Sequence, residues 1–221
     1  MSDVTLDPQW FNAYWPPFRS HIYELLSWGY EDAKDRIGQN HEEEEITGFI
    51  AEAIQERLMA PECPRWCEHY ALKEDNPVPG QGRTGKRRKI PDFIFEHTIY
   101  PRPTYIFEAK RLRQNKNFRE NYYFSKGLER FLHGEYATKC LEAGMIGYVQ
   151  CDTPDKWQDR LKHYLDRDAE KDACKYYLKS YPKDESSGDI FAKKWVSEHA
   201  RRVGANIVIY HILLDCLNQQ S

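Results

Sequence analysis

Long apolar stretches are missing from this 221-residue sequence, and we also expect no N-terminal leader. A membrane-spanning helix needs about 18 or more consecutive apolar residues, and no run approaches that length. The first segment, MSDVTLDPQW, has neither a basic stretch nor an apolar core, so we expect no signal peptide. Both absences predict a cytoplasmic protein that has no membrane partner.

Cysteine is also scarce, with six residues in the chain. In a protein that is not exported, this number predicts reduced thiols rather than a disulfide framework. Cys63, Cys67 and His69 form a CxxxC-x-H cluster that zinc could use, but no fourth ligand stands at an obvious partner spacing. We therefore favour ordinary thiols over a zinc site.

The composition is that of a folded protein despite its high charge. Charged residues make up 30% of the chain, but aromatic residues make up 14%, and disordered chains are poor in aromatics. The length suits one domain, and the only low-complexity tract is a run of four glutamates. We expect residues 1–39 to form a helical segment packed on a single domain of residues 40–221.

Hydrophobic periodicity predicts an α/β protein with a central mixed sheet flanked by helices, including extra N- and C-terminal helices. Alternating or continuous apolar segments indicate strands at residues 69–75, 90–96, 104–110, 144–150 and 205–215. Helical spacing indicates helices within residues 7–37, 41–58, 118–142, 154–165 and 190–202. We also expect charged helical stretches directly after residue 165. Asn40 is the expected cap of the second helix.

A basic centre is hidden within a net charge of −3. From Arg83 to Arg119, eleven Lys and Arg residues accompany only three acids, which gives this segment a local charge of +8. A basic centre in an acidic chain is typical of a site for a polyanion such as nucleic acid. A solvated charged face fits almost as well, so the pattern only supports such a site.

Two short motifs could carry chemistry: Pro91-Asp92 and Glu108-Ala109-Lys110. Side chains alternate along a strand, so Glu108 and Lys110 share one face, where burial is costly unless they are paired or solvated. A turn would bring Asp92, at the start of the preceding strand, close to Glu108. Two carboxylates completed by water and phosphate oxygens suit Mg²⁺. The alternative is a surface Lys–Glu pair on a half-exposed strand.

PD followed by EAK on successive strands, after a helix that carries glutamates, resembles the PD-(D/E)XK nuclease superfamily, whose fold is restriction-endonuclease-like. The resemblance covers roughly residues 40–150. It implies metal-dependent hydrolysis of phosphodiester bonds, which leaves a 5′-phosphate and a 3′-hydroxyl. Asp92 and Glu108 would then hold Mg²⁺, for which Mn²⁺ substitutes, and Lys110 would act on the attacking water and the developing charge.

The family often carries a further glutamate on its first core helix, and the run from Glu42 to Glu45 offers four candidates. We predict Glu43 as the catalytic one, because it lies three residues before Ile46, the first buried residue of the helix. Glu42, four residues before Ile46, fits helical geometry nearly as well. The alternative is that all four are solvated acids of a first helical turn.

Basic residues on both sides of the predicted centre are candidates for nucleic-acid binding through phosphate contacts. They are Lys86, Arg87, Arg88, Lys89, Arg111, Arg113, Lys126 and Arg130. The segment Lys86–Lys89 could instead be a localisation signal. Tyr122 or Tyr123 could stack a base, unless their helix is an ordinary amphipathic one with its aromatic face in the core.

Two other patterns are not assigned to the site. GQGRTGK satisfies part of a phosphate-binding loop, but Arg87 stands where Ser or Thr is needed and no buried strand precedes it. His199 and His211 could serve a nucleic-acid site, but a histidine in an apolar final strand is more often a satisfied core residue. We therefore predict neither as catalytic.

The sequence thus predicts a Mg²⁺-dependent nuclease that acts on DNA rather than RNA, as an antiviral-defence or restriction effector. No separate recognition module is visible, so loops on the core, a homodimer or a partner protein are expected to supply specificity. The alternative is a catalytically silent nucleic-acid-binding or assembly subunit that keeps the nuclease fold.

Overall fold

The fold is described from a computed structural model of the chain. It describes residues 8–74, 90–100, 102–114, 117–124, 126–137, 140–171, 178–184, 191–201 and 204–217. Within these ranges, no helix combines the length and the apolar character that crossing a membrane requires.

In the part of the chain that the structure describes, seven strands form one mixed sheet in the order β1-β2-β3-β4-β7-β6-β5. The strands are β1 (Tyr70–Lys73), β2 (Phe93–His97), β3 (Thr104–Leu112), β4 (Glu142–Val149), β5 (Leu178–Asp184), β6 (Lys193–His199) and β7 (Ile207–Asp215). The central pairs β3–β4 and β4–β7 are parallel, and the outer pairs are antiparallel. The predicted α/β class with a mixed sheet flanked by helices is therefore confirmed.

Within the described ranges, five α-helices accompany the sheet: α1 (Pro8–Ala33), α2 (Glu43–Met59), α3 (Phe118–Tyr123), α4 (Glu129–Leu132) and α5 (Pro154–Lys171). Residues alternate along β3 between two hydrophobic clusters, as the strand periodicity requires. Phe107 and Ala109 pack in the cluster that contains α1 and α2. Ile106 and Leu112 pack in the cluster that contains α3, α4 and α5. The sheet is therefore covered by helices on both faces.

The start of α2 differs from the predicted cap at Asn40. Glu42 is the N-cap, and it forms a capping box with Glu45: the Glu42 side chain accepts from the Glu45 backbone, and the Glu45 side chain accepts from the Glu42 backbone N–H. Three glutamates occupy the first turn, where the positive end of the helix dipole favours anions.

The predicted single helix within residues 118–142 is wrong, because the segment forms α3 and α4 with a turn between them. The backbone N–H of Gly127 donates to the carbonyl of Phe124 in that turn. A Cβ atom at position 127 would lie 1.9 Å from the carbonyl oxygen of Tyr122, so only glycine fits this close approach.

The predicted helix at residues 190–202 is also wrong, because residues 193–199 form β6. Trp195, Ser197 and His199 are buried in alternation with more exposed neighbours, which is strand periodicity. The charged segment after residue 165 continues α5 only to Lys171, and residues 178–184 form β5. In the described part of the chain no helix follows α5, so the expected C-terminal helices are replaced by strands.

The expectation that all cysteines are reduced is wrong for one pair. The 3₁₀ turn at Arg65–His69 brings the Cα atoms of Cys63 and Cys67 to 6.4 Å, and the two residues form a disulfide. Their sulfur atoms are therefore not thiolates, which removes the zinc interpretation of this cluster. Cys140, Cys151 and Cys216 are free thiols, as predicted.

Candidate active site

The β2–β3 hairpin places the first acid beside the second. Phe93 pairs with Phe107 in an antiparallel register, and Asp92 lies one residue before Phe93. Extending this register sets Asp92 next to Glu108. The Asp92 carboxylate also accepts a hydrogen bond from the backbone N–H of Ala109, with an N–O distance of 2.6 Å. The two carboxylates are thus fixed near each other by backbone pairing.

Lys110 is the centre of the arrangement. Its ammonium nitrogen lies 2.6 Å from Oε1 of Glu43, 3.0 Å from Oε1 of Glu108 and 4.0 Å from Oδ2 of Asp92. Its side chain is only 8% exposed, although lysine is among the residues least often buried. The structure therefore brings together the four residues that the sequence predicts as catalytic, from α2, from the start of β2 and from β3.

The structure distinguishes Glu43 from its neighbour Glu42. The Oε2 atom of Glu43 accepts a hydrogen bond from the backbone N–H of Arg111 at 3.1 Å, while its Oε1 atom binds Lys110. Glu42 is 63% exposed and forms an ion pair with the guanidinium of Arg111. The glutamate that faces the candidate site is therefore Glu43.

The electrostatics of the site reflect an excess of carboxylate. Burial, together with the neighbouring Glu108, raises the pKa of Asp92 to about 7. Burial also raises the pKa of Glu108, although Lys110 and Arg130 oppose the shift. For Lys110, burial lowers the pKa, but the surrounding carboxylates outweigh it and the net shift is upward, so the side chain stays an ammonium.

Two partners of Glu108 were not predicted as such. Nη1 of Arg130 lies 2.7 Å from Oε1 of Glu108, and the hydroxyl of Tyr136 donates to Oε2 at 2.5 Å. The Glu108 side chain is only 2% exposed. Arg130 was predicted to contact phosphate; in the structure its guanidinium binds a carboxylate of the site. Tyr136 gives no sequence signal, because nothing in its local pattern separates it from the other tyrosines.

The two arginines after the E-A-K segment fasten the loop that leads into α2. Arg111 donates to the carbonyl of His41 at 3.0 Å, and Arg113 donates to the carbonyl of Gln39 at 2.5 Å. Gln150, at the end of β4, accepts from Nε of Arg113 at 2.8 Å and donates to the carbonyl of His41 at 2.8 Å. These contacts fix the loop directly before Glu43. Phosphate binding by these arginines stays a prediction.

The structure tests only some of the remaining candidates. Residues 86–89 fall outside the described residues, and Lys126 is exposed on the turn between α3 and α4. Tyr122 and Tyr123 are fully buried in the core, so the prediction that either stacks a base is wrong. His199 and His211 are also fully buried, and both hydrogen bond to Ser197, which confirms their interpretation as satisfied core residues.

Comparison of the chain with protein-family models, with curated proteins and with solved structures finds no match.

The chemistry of the donor set suits a hard divalent cation. Among the described residues, three carboxylates meet two cationic side chains, Lys110 and Arg130, so full ionisation leaves the site negative. A cation beside Asp92 and Glu108 would offset that charge. Within the described ranges, no group of three or more His, Cys, Asp or Glu side chains is arranged to hold a metal ion. Mg²⁺ needs only one or two carboxylates, because water and substrate phosphate complete its coordination.

Proposed function

We propose that the protein is a metal-dependent nuclease of the PD-(D/E)XK superfamily, with a restriction-endonuclease-like fold, that hydrolyses phosphodiester bonds in DNA. One observation carries the proposal: a buried lysine surrounded by three carboxylates that come from separate segments of the chain. Burying these charges is costly, so their convergence supports a function that needs them.

Asp92 and Glu108 would hold Mg²⁺ or Mn²⁺, and the hairpin register already sets the two carboxylates side by side. When bound, such an ion polarises a phosphate oxygen and acidifies a coordinated water. The raised pKa values of both acids support this assignment, because a bound cation favours their ionised forms.

Lys110 is suited to donate hydrogen bonds rather than to accept a proton. Its raised pKa keeps it charged at neutral pH, so it would orient the attacking water and stabilise negative charge that develops on the phosphate. Glu43 holds the Lys110 ammonium at 2.6 Å and is itself fixed by the backbone of Arg111. Glu43 therefore acts through Lys110 as a positioning residue.

The substrate class rests on charge. The segment from Arg83 to Arg119 carries a charge of +8 and includes Glu108 and Lys110. Phosphate contacts from such a segment supply affinity that does not depend on sequence. We propose DNA as the substrate, restriction or antiviral defence in the cytoplasm as the setting, and a second copy or a partner protein as the source of specificity.

A catalytically silent subunit is the second candidate. It is favoured by the contacts around Glu108, whose Oε1 atom is already bound by both Lys110 and Arg130. Ion pairs in which Glu108 is already bound by Lys110 and Arg130 could stabilise the fold without any catalytic role. The two candidates differ in whether a divalent cation enters the site.

A cleavage panel separates these candidates. Plasmid DNA, single-stranded DNA and RNA are incubated with the protein in Mg²⁺, in Mn²⁺ and in EDTA, with Asp92→Ala as the variant and Asp159→Ala as the control. Asp159 is an exposed acid of α5. We expect cleavage of DNA that needs the metal and Asp92 but not Asp159. No metal-dependent cleavage of any substrate would favour the silent subunit.

A further inference from the structure

We propose that Tyr136 is a positioning residue that orients the Glu108 carboxylate so that one lone pair of its Oε2 atom faces the metal. This inference rests on the proposed function and extends it to a residue that touches neither metal nor substrate.

Tyr136 belongs to a closed ring of three hydrogen bonds. Its hydroxyl donates to Oε2 of Glu108 at 2.5 Å and accepts from Nη1 of Arg130 at 2.5 Å. The same nitrogen of Arg130 donates to Oε1 of Glu108 at 2.7 Å. Each of the two hydrogens on Nη1 therefore has one acceptor. The ring fixes the plane of the carboxylate as well as its position.

The two oxygens of Glu108 are used unequally. Oε1 lies within ion-pair distance of two cationic groups, at 3.0 Å from the ammonium of Lys110 and at 2.7 Å from Nη1 of Arg130. Among the residues that the structure describes, Oε2 is bound by the Tyr136 hydroxyl alone. One lone-pair direction of Oε2 is therefore left for a cation. Because the hydroxyl is neutral, it orients this oxygen without repelling a positive ion.

The backbone holds Tyr136 in an unusual turn. Gly134 and Ala137 both have positive φ, 69° and 55°, and such a conformation is uncommon for alanine. Arg201, which is buried and lies two residues after β6, donates a hydrogen bond to the carbonyl of Ala137 at 2.7 Å. This bond holds the backbone of Ala137 in its strained conformation. The ring of Phe131 packs edge-on against Tyr136. Strain that is over-determined in this way is typical of functional sites.

The test is the affinity for Mn²⁺ of Tyr136→Phe, measured by isothermal titration calorimetry. The variant loses one oxygen atom and keeps the ring that packs on Phe131. Loss of a hydrogen bond to a metal ligand typically weakens metal affinity by 10- to 100-fold, and we expect a loss of about that size. Tyr123→Phe is the matched control, because its buried hydroxyl donates to the carbonyl of Leu161, away from the site. Its affinity should equal that of the wild type.

A positioning role also predicts how activity responds. Tyr136→Phe should cleave slowly at low Mg²⁺ and recover most of the wild-type rate when Mg²⁺ is raised, since the defect is in metal affinity. A residue that only stabilises the fold would lower the rate equally at all Mg²⁺ concentrations, and that result would overturn the inference.

A spectroscopic measurement can test the inference on the wild type even if the variant does not fold. Mg²⁺ has no near-ultraviolet absorption, but its binding to Glu108 should perturb the hydrogen-bonded Tyr136 and give a tyrosine difference spectrum that Tyr136→Phe lacks. The absence of any tyrosine perturbation in a wild type that binds Mg²⁺ would overturn the inference, even if Tyr136→Phe did not fold. Wild type that binds no divalent cation would overturn the proposed function as well. Equal Mn²⁺ affinity in wild type and Tyr136→Phe would overturn the role of Tyr136 alone.

Discussion

The charge of Asp92 should make the metal-free protein less stable at alkaline pH, so Asp92→Asn should stabilise it. The ordinary pKa of an aspartate, 3.8, applies to the unfolded chain, and burial raises the folded value to about 7. The folded state then binds the proton more tightly than the unfolded state between these values. Stability is therefore lost as the pH rises from about 4 to about 7, and it stays lost above that range.

The size of the effect follows from the shift. About three pKa units at about 1.4 kcal/mol each give an upper limit of about 4 kcal/mol, and we expect Asp92→Asn to gain about 2–4 kcal/mol at pH 8 in EDTA. Asparagine keeps an oxygen for the Ala109 N–H, so the hydrogen bond that Asp92 makes there is retained. The gain should shrink as the pH falls towards 4 and vanish below that, where aspartate becomes protonated in both states.

Thermal melting at both pH values is the assay. For a chain of this size the expected gain at pH 8 is a rise in Tm of roughly 5–15 °C. Asp159→Asn, an exposed position on α5, should change stability by less than about 0.5 kcal/mol at either pH. Saturating Mg²⁺ should raise the Tm of the wild type more than that of Asp92→Asn. If Asp92→Asn melted below the wild type at pH 8 in EDTA, the account of the electrostatics would be refuted.

Three further predictions concern metal, loop and substrate. Because protons and metal compete for Asp92, the affinity for Mn²⁺ should fall as the pH drops below about 7, by a factor that approaches tenfold per pH unit. An affinity that does not change between pH 5 and 8 would exclude Asp92 as a ligand. Gln150→Leu removes the side chain that joins Arg113 to the loop before Glu43. We expect the free energy of unfolding, measured by chemical denaturation, to fall by about 1–3 kcal/mol and cleavage to become slower. An unchanged midpoint and rate would show that the loop does not depend on Gln150. Replacing Lys86, Arg87, Arg88 and Lys89 by glutamine should weaken DNA binding for all sequences alike. The slope of log K against log salt concentration should become shallower by roughly one unit per lost phosphate contact. An unaltered slope would assign the segment to another role.

Most of the sheet could be predicted because its signals are local, and the four central residues could be predicted because short local motifs carry the family resemblance. Apolar runs bounded by turn residues mark β2, β3, β4 and β7, and the spacing of Glu43 to the buried Ile46 sets its side of α2. Asp92 and Glu108 meet because a hairpin follows from two strands joined by a turn-rich segment.

The errors come from segments where local and long-range signals disagree. Residues 193–199 are charged enough to suggest a surface helix, but pairing with β7 buries alternate side chains and makes a strand. Gly127 breaks the predicted long helix because the backbone approaches too closely for any Cβ atom. These constraints come from contacts across the fold, which a single sequence does not display.

The network around Glu108 was missed for the same reason. Arg130 and Tyr136 lie 22 and 28 residues beyond Glu108, and their contacts depend on how α4 and its turn dock on the sheet. Gln150 is an uncharged residue after an apolar strand, and nothing in that pattern indicates that it holds the loop before α2. A sequence can indicate which residue types suit a site, but it does not show which distant side chains orient them.

Single-turnover cleavage of DNA by Lys110→Ala at saturating Mg²⁺ tests the central claim most directly. Lys110 is the cation at the centre of the three carboxylates, and in our account it acts on the water and on the developing charge rather than on the metal. Lys110→Ala should remain folded in Mg²⁺, bind Mn²⁺ and DNA, and cleave at least about a hundredfold more slowly than the wild type. Lys156→Ala, an exposed lysine of α5, should cleave at the wild-type rate. A folded Lys110→Ala protein that cleaved at a rate near that of the wild type would contradict the account.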